Sequence, residues 1–282
     1  MEVIERFLLG KRPDQTLCED MIVETPDFIG VLDGVTSKND MLWPDGEKQV
    51  SGGVKATLLL KDVIENLDNN ASVEDFLKKV NAKFTSCYKE AGLYEHLKKR
   101  VNHKERCQAC LALYSSSRKE VWVFGDCQVK IDGKQFVKES GLENAEMVYS
   151  KARALYLECE LEEGKTIDQL LKKDTGREFI MPLIKKYSQF SNDGKSPLGY
   201  CVIDGFDIPL NLIDIIDSKE AKEIIMTSDG YPEVSNSLKE AEEVLKTQLK
   251  IDPLCFRENP RPKALNKGYN SFDDRCYIRF NV

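Results

Sequence analysis

The chain has 282 residues, with 41 Lys plus Arg against 48 Asp plus Glu, a formal charge of −7; it is 41% hydrophobic and 32% charged. A chain of this length buries roughly three quarters of its unfolded surface, so a large core is available without staples. The acidic balance argues against a nucleic-acid groove, which needs clustered Lys and Arg. No apolar run approaches the ~18–20 residues that span a bilayer. The opening stretch, MEVIERFLLG, has no basic start and no cleavage-like site, so a cytoplasmic protein with reduced thiols is expected.

In chain order, strands are predicted at Met21 to Glu24 and Phe28 to Leu32, with Thr25-Pro26-Asp27 as the turn between them. A helix follows Gly52-Gly53, where Ala56, Leu60, Val63 and Leu67 recur at helical spacing. A second helix starts at Ser72, with Asp75 completing a capping box and Phe76, Val80, Phe84, Cys87 and Ala91 forming its face. Strands Cys107 to Tyr114 and Glu120 to Phe124 come next, and the stretch from about Glu143 to Gln189 reads as mostly helical. Short strands are predicted at Tyr200 to Ile203, Ile213 to Ile216 and Glu223 to Met226, then a helix capped at Ser237 and a last strand, Cys276 to Phe280. No repeat or low-complexity linker interrupts this order, so one domain over 1–282 is expected, with an α+β layout of antiparallel sheets covered by helices.

His96 and His103 sit in no Gly-x-Ser-x-Gly or His-Glu-x-x-His context, so serine-hydrolase and zinc-protease chemistry lack their residues. Both are expected on a solvated helix face, whereas Trp43 and Trp122 read as packing residues. Cys107 and Cys110 have metal-ligand spacing, but residues i and i+3 of a strand point to opposite faces, which disfavours a zinc site completed by Cys87 and His103.

The informative residues are aspartates. Asp-Gly occurs at 33, 45, 132, 193, 204 and 229; most such dipeptides are turns. Asp33 and Asp229 differ because each comes straight off a β-rich run, Phe28 to Leu32 and Glu223 to Ser228. Asp126 follows Val121 to Gly125, and Asp273-Asp274 stands just before the final strand. If these strands are neighbours their carboxylates converge into a hard-oxygen site, which suits Mg²⁺ or Mn²⁺ over Zn²⁺. Sites of this kind hold two ions and promote in-line attack on phosphorus.

Five short blocks, taken in order, resemble the metal-dependent protein phosphatase 2C family: Glu19-Asp20, Val31-Leu32-Asp33-Gly34, Val123-Phe124-Gly125-Asp126, Ile225 to Gly230, and Phe272-Asp273-Asp274-Arg275-Cys276. They cover nearly the whole chain, as a divergent member. The resemblance implies two packed antiparallel sheets between helical layers, an α-β-β-α sandwich, with a flap-like helical insertion at about 141–197. It implies hydrolysis of phosphoserine or phosphothreonine monoesters by a hydroxide bridging two Mg²⁺ or Mn²⁺ ions. Asp33, Asp229 and Asp273 are then the essential ligands, and Asp33 bridges the ions. The Gly34 carbonyl completes the second site, Glu19 and Asp20 hold metal-bound waters, and Asp126 falls to a third, weaker position. The implied partner is a phosphorylated protein, with no nucleic acid and no membrane; oligomeric state is left open.

Two departures stand beside the resemblance. The family's phosphate-binding arginine position is Gln15 here, which leaves Arg12, the neighbouring Lys11, or Lys38 to supply a positive charge. The position of a His that serves as general acid in some members is Val35. These departures motivate the alternative of a pseudophosphatase that binds a phosphoprotein or a partner domain. A hydrolase of small phosphate esters would keep the same ligands.

Overall fold

The computed structural model describes residues 1–136 and 141–282, with the side chains of 141–144 left aside. In chain order the strands are β1 (Glu2–Leu9), β2 (Met21–Glu24), β3 (Phe28–Gly34), β4 (Trp43–Asp45), β5 (Lys48–Val50), β6 (Ala109–Ser115), β7 (Glu120–Phe124), β8 (Gln128–Ile131), β9 (Lys134–Phe136), β10 (Asp214–Asp217), β11 (Glu223–Thr227) and β12 (Arg275–Asn281). The helices are α1 (Gly52–Glu65), α2 (Val73–Glu90), α3 (Tyr94–Leu97), α4 (Gly141–Glu162), α5 (Ile167–Lys172), α6 (Thr175–Tyr187) and α7 (Leu238–Ile251).

Two five-stranded sheets carry the fold, with strand orders β1-β12-β11-β8-β9 and β10-β7-β6-β3-β2, and every strand pairing in them is antiparallel. Alternation along the strands sorts their side chains into layers. From β3, Ile29 and Val31 face the other sheet, where they meet Met226, Ile278 and Phe280; Phe28 and Leu32 face the opposite way, into α1 and α2. On the far side of the β1-β12-β11-β8-β9 sheet Ile225 and Tyr277 pack against Ala241 and Leu245 of α7. The result is an α-β-β-α sandwich.

The helices form where local chemistry favours them. Ser51 accepts a hydrogen bond from the Val54 amide to start α1. Ser72 and Asp75 close a reciprocal capping box on α2, which buries Phe76, Val80 and Phe84 on one face. Trp43 and Trp122 are fully buried in the core beneath these helices. Helices α4 and α6 share a small core of Tyr149, Ile180, Ile184 and Tyr187, and Leu157 of α4 packs with Leu170 of α5 and with Leu254 and Phe256 of the segment after α7. No described helix is long and apolar enough to cross a membrane.

Three differences from the sequence reading have physical causes. Tyr200 to Ile203 forms no strand, because it makes isolated bridges alone: Ile203 to Ala109 and Tyr200 to Ser191. Strand β1 has most of its side chains exposed, with Val3, Ile4 and Leu8 all open to solvent, so it carries little of the alternation that marks a half-buried strand. His103 is buried, not solvated: its ring nitrogens meet the Arg100 carbonyl and the Ser188 hydroxyl. Cys107 and Cys110 do face opposite layers, the first toward α1 and α2 and the second toward the inter-sheet core. None of the nine cysteines forms a disulfide, and Cys159 on α4 is the exposed one.

Candidate functional site

Antiparallel pairing brings the acids together. Because β11 runs against β12, the end of β11 lies beside the start of β12; the Ser228 amide donates to the Cys276 carbonyl, and the Cys276 amide to the Ser228 hydroxyl (3.2 and 3.0 Å). Asp229 and Asp273 thereby leave the same edge of one sheet, and Asp33 closes β3 in the other. The Asp229 amide reaches across to Asp33 Oδ2 at 3.4 Å. Asp126 follows Gly125, whose φ of +84° turns the chain after β7 and whose added Cβ would fall 2.3 Å from Cys110 Sγ. Asp33, Gly34, Asp126, Asp229 and Asp273 line one cavity of about 150 Å³.

Gly34 is required by close approach. A Cβ there would lie 2.5 Å from the Glu19 carbonyl and 2.7 Å from that of Gly53, so β3, the Glu19 segment and the start of α1 meet backbone to backbone. Glu19 reinforces the junction with its side chain: Oε1 accepts from the Ser51 hydroxyl (2.6 Å) and Oε2 from the Thr36 hydroxyl (2.7 Å). Asp274 turns away from the cavity to accept from the Lys11 and Glu19 amides (2.7 and 3.0 Å).

The charges at this junction are strongly frustrated. Burial, with the charges of Asp20, Asp229 and Asp126, pushes the Asp33 carboxyl well above the usual carboxylate range. Burial also pushes Asp20 up to about 8, helped by Asp274 and Asp229 against a Ser228 hydrogen bond and Lys11. Asp126 is raised by burial and by Asp229. Glu146 of α4 lines the same cavity, and burial with Asp229 and Asp126 pushes it up to about 7 against the pull of Arg261. Carboxylates crowded this way take up protons or a cation.

For a divalent ion, the donor chemistry fits: hard oxygens only, with Asp20 Oδ2 buried and without a hydrogen-bond partner. Among the described residues, however, no three acidic, thiol or imidazole side chains stand close enough to enclose an ion. Asp273 is held instead by two ammonium groups: Oδ1 by Lys11 at 3.0 Å and Oδ2 by Lys263. Lys11 is itself buried, and also meets Glu19, Asp274 and the Thr36 hydroxyl. Burial opposes its charge, but Glu19, Asp274 and Asp20 outweigh burial and raise its pKa.

The same cavity is also lined by cations. Lys38, Lys104, Arg106, Arg177 and Lys263 line it, together with Tyr149, Tyr187 and Tyr200. Arg12 is not among the cavity's residues. Sequence reasoning named Lys38 and Lys11 but missed Lys263, Arg177 and Glu146, which no local motif marks. Asp204, one of the Asp-Gly aspartates, is fully buried and pairs with Arg106 Nη1 at 2.7 Å, outside the acidic cluster.

No family model matches the sequence, and no curated protein does. Solved structures do align over the full length. The serine/threonine phosphatase PstP/Ppp of Mycobacterium tuberculosis matches with a TM-score of 0.43 and 13% identity, covering 99% of this chain and 99% of that one. PppA of Pseudomonas aeruginosa, described as a regulatory component of a type VI secretion system, matches at 0.46 and 10%, covering 100% and 99%. The serine/threonine phosphatase Stp1 of Staphylococcus aureus matches at 0.44 and 11%, covering 100% and 97%.

Proposed function

We propose that this chain hydrolyses phosphoserine or phosphothreonine monoesters with the help of divalent cations held at Asp33, Asp229 and Asp126, with Asp20 behind them and Glu146 beside them. The observation that supports it is the convergence of Asp33, Asp126, Asp229 and Glu146, from different strands and from α4, on one cavity that cationic side chains also line. Such a pairing of surfaces suits a substrate that is dianionic and a cofactor that is positive. When bound, Mg²⁺ or Mn²⁺ would supply Lewis-acid polarisation of the phosphoryl group and lower the pKa of the attacking water. The chain's own residues do the rest. The acids would hold the cations and balance their charge. The buried Glu19, Thr36 and Ser51 network keeps Gly34 and the start of α1 in register behind them. With Val35 at the position of a possible general acid, no imidazole lines the cavity, so protonation of the leaving alkoxide falls to solvent or to Glu146, whose raised pKa lets it carry a proton near neutrality.

The test is turnover of an aryl phosphate and a phosphothreonine peptide with Mn²⁺, Mg²⁺ or chelator. Asp229→Asn is expected to lower metal-dependent turnover by a factor on the order of 10² or more while the far-UV spectrum stays native. Full activity in that variant would overturn the assignment.

One observation favours a second reading, a non-catalytic phosphoprotein-binding module. Asp273 is already neutralised by Lys11 and Lys263, so a cation must displace them to use it. Titration calorimetry separates the two: Mn²⁺ that binds wild type no more tightly than it binds Asp33→Asn, together with absent turnover, would favour the binding module.

A further inference from the structure

The cationic wall has its own construction. Of its five basic residues, Arg106 is committed elsewhere: Nη1 pairs with Asp204, Nε donates to the Leu97 carbonyl, and the guanidinium stacks 3.8 Å over Phe206. Lys104 is exposed to solvent. Lys38, Arg177 and Lys263 remain, all half-buried and drawn from three distant segments: the stretch after β3, the first turn of α6, and the loop before β12.

These segments are fastened so that the three cations face one space. Asp174, the cap of α6, accepts from the Arg177 amide (2.8 Å) and from the Ala264 amide (3.1 Å), so one carboxylate holds the helix start to the loop that carries Lys263. Arg177 Nη1 donates to the Pro262 carbonyl at 2.9 Å, which fixes its guanidinium beside that loop. The Lys38 segment is held in turn by the Asn39 side chain, which donates to the Lys104 carbonyl and accepts from the Met41 amide (both 2.9 Å).

We propose that Lys38, Arg177 and Lys263 form the seat of a phosphomonoester dianion, doing from three separate segments what a single arginine at position 15 would otherwise do. This rests on the hydrolase reading for its role in turnover, though the seat itself is built without any metal. Three observations carry it. Among the described residues, Lys38 forms no hydrogen bond or ion pair, so all three of its donors are free. The Arg177 guanidinium spends a single hydrogen bond on protein there, which leaves its planar fork for two phosphoryl oxygens. The rings of Tyr187 and Tyr200 stack at 5.3 Å and with Tyr149 give the wall an apolar backing, where charge-assisted hydrogen bonds are strongest. Burial, with Arg177 and Lys263, brings Lys38 down to about 8 against the pull of Glu19, and a dianion relieves that repulsion. Lys263 can serve the seat as well, since an ammonium that holds Asp273 still has donors to spare.

The seat is tested with inorganic phosphate as the probe, titrated calorimetrically into the full chain with chelator and again with Mn²⁺. Wild type, Lys38→Met, Arg177→Met and the surface control Lys78→Met are compared, with native unfolding profiles required of each. Lys38→Met and Arg177→Met are each expected to weaken phosphate binding about 10-fold or more, the loss of a charged hydrogen bond, while Lys78→Met changes nothing. Lys38→Arg is expected to recover part of the loss. Wild-type affinity in both variants, or no phosphate binding by wild type in either arm, would overturn the seat. The outcomes also separate the two readings. Charge-dependent phosphate binding without turnover under any metal keeps the seat and removes the hydrolase. Turnover with unchanged KM and phosphate affinity in both variants keeps the hydrolase and removes the seat.

Discussion

Asp33→Asn is expected to abolish metal-dependent turnover, by a factor on the order of 10³ or more, and at the same time to make the chelated protein more stable than wild type at pH 8. The two effects have one cause. Asp33 sits among Asp20, Asp126 and Asp229, and burial with these charges raises its carboxyl well above the usual range. An acid whose folded pKa exceeds its unfolded value of about 4 binds more protons folded than unfolded. Its contribution is therefore neutral at low pH and becomes destabilising as pH climbs from about 4 toward the folded pKa. Asp20, at about 8, adds to the same trend and sets the window between roughly pH 4 and pH 8. Asn cannot ionise, so the variant should lose less stability across that window. Urea unfolding of both proteins in chelator at pH 5 and pH 8 checks this, and a steeper loss in the variant would contradict it. Saturating Mn²⁺ should reverse the order, adding about 2.7 kcal/mol to wild type at a hundredfold excess over Kd and little to the variant.

The second large effect lies away from the acids. Arg153→Met is expected to destabilise the protein by about 3–5 kcal/mol, a fall in Tm on the order of 10 °C. Arg153 on α4 is fully buried, and its guanidinium has a partner for every nitrogen. Nε and Nη2 hold the two oxygens of Asp174 (3.2, 3.1 and 2.7 Å), Nη1 meets the Cys255 and Arg261 carbonyls (3.2 and 3.0 Å), and Nη2 also meets the Leu254 carbonyl (2.9 Å). Removing the fork takes its charged partner from the Asp174 carboxylate, which among the described residues keeps only the Arg177 and Ala264 amides, and takes a donor from three carbonyls. Arg153→Lys should restore little, because a point charge cannot span both Asp174 oxygens and the carbonyls. A thermal midpoint within 2 °C of wild type would show that the fork contributes no net stability. Since Asp174 also caps α6 at Arg177 and holds Ala264, the same change should loosen the cationic wall and raise KM for phosphate esters.

What the sequence revealed, and what it concealed, follows from how far apart cooperating residues lie. Asp33 and Asp229 were legible because a β-rich run delivers each of them, and α2 because Ser72, Asp75 and its apolar face agree on one helix. Strand β1 was not, since its exposed Val3, Ile4 and Leu8 blur the alternation of an edge strand that pairs with β12 alone. Arg177 and Lys263 carry no motif. They meet only because Arg153 and Asp174 tie α4, α6 and the segment after α7 into one knot, a tertiary contact that no window of sequence contains. Tyr200 to Ile203 misled in the other direction: it has strand composition but finds no neighbouring strand to pair with beyond single bridges.

The distribution of the thiols has a practical consequence. Burial raises Cys107, Cys110, Cys127 and Cys276 well above the ordinary thiol range, and half-buried Cys18 is pushed up to about 12, so these groups stay protonated and poorly nucleophilic. Cys159 stands exposed on α4. A maleimide dye should therefore attach at this position in the native chain without any engineered cysteine, and its emission would report on α4 as phosphate or metal enters the cavity that Glu146 and Tyr149 of the same helix line.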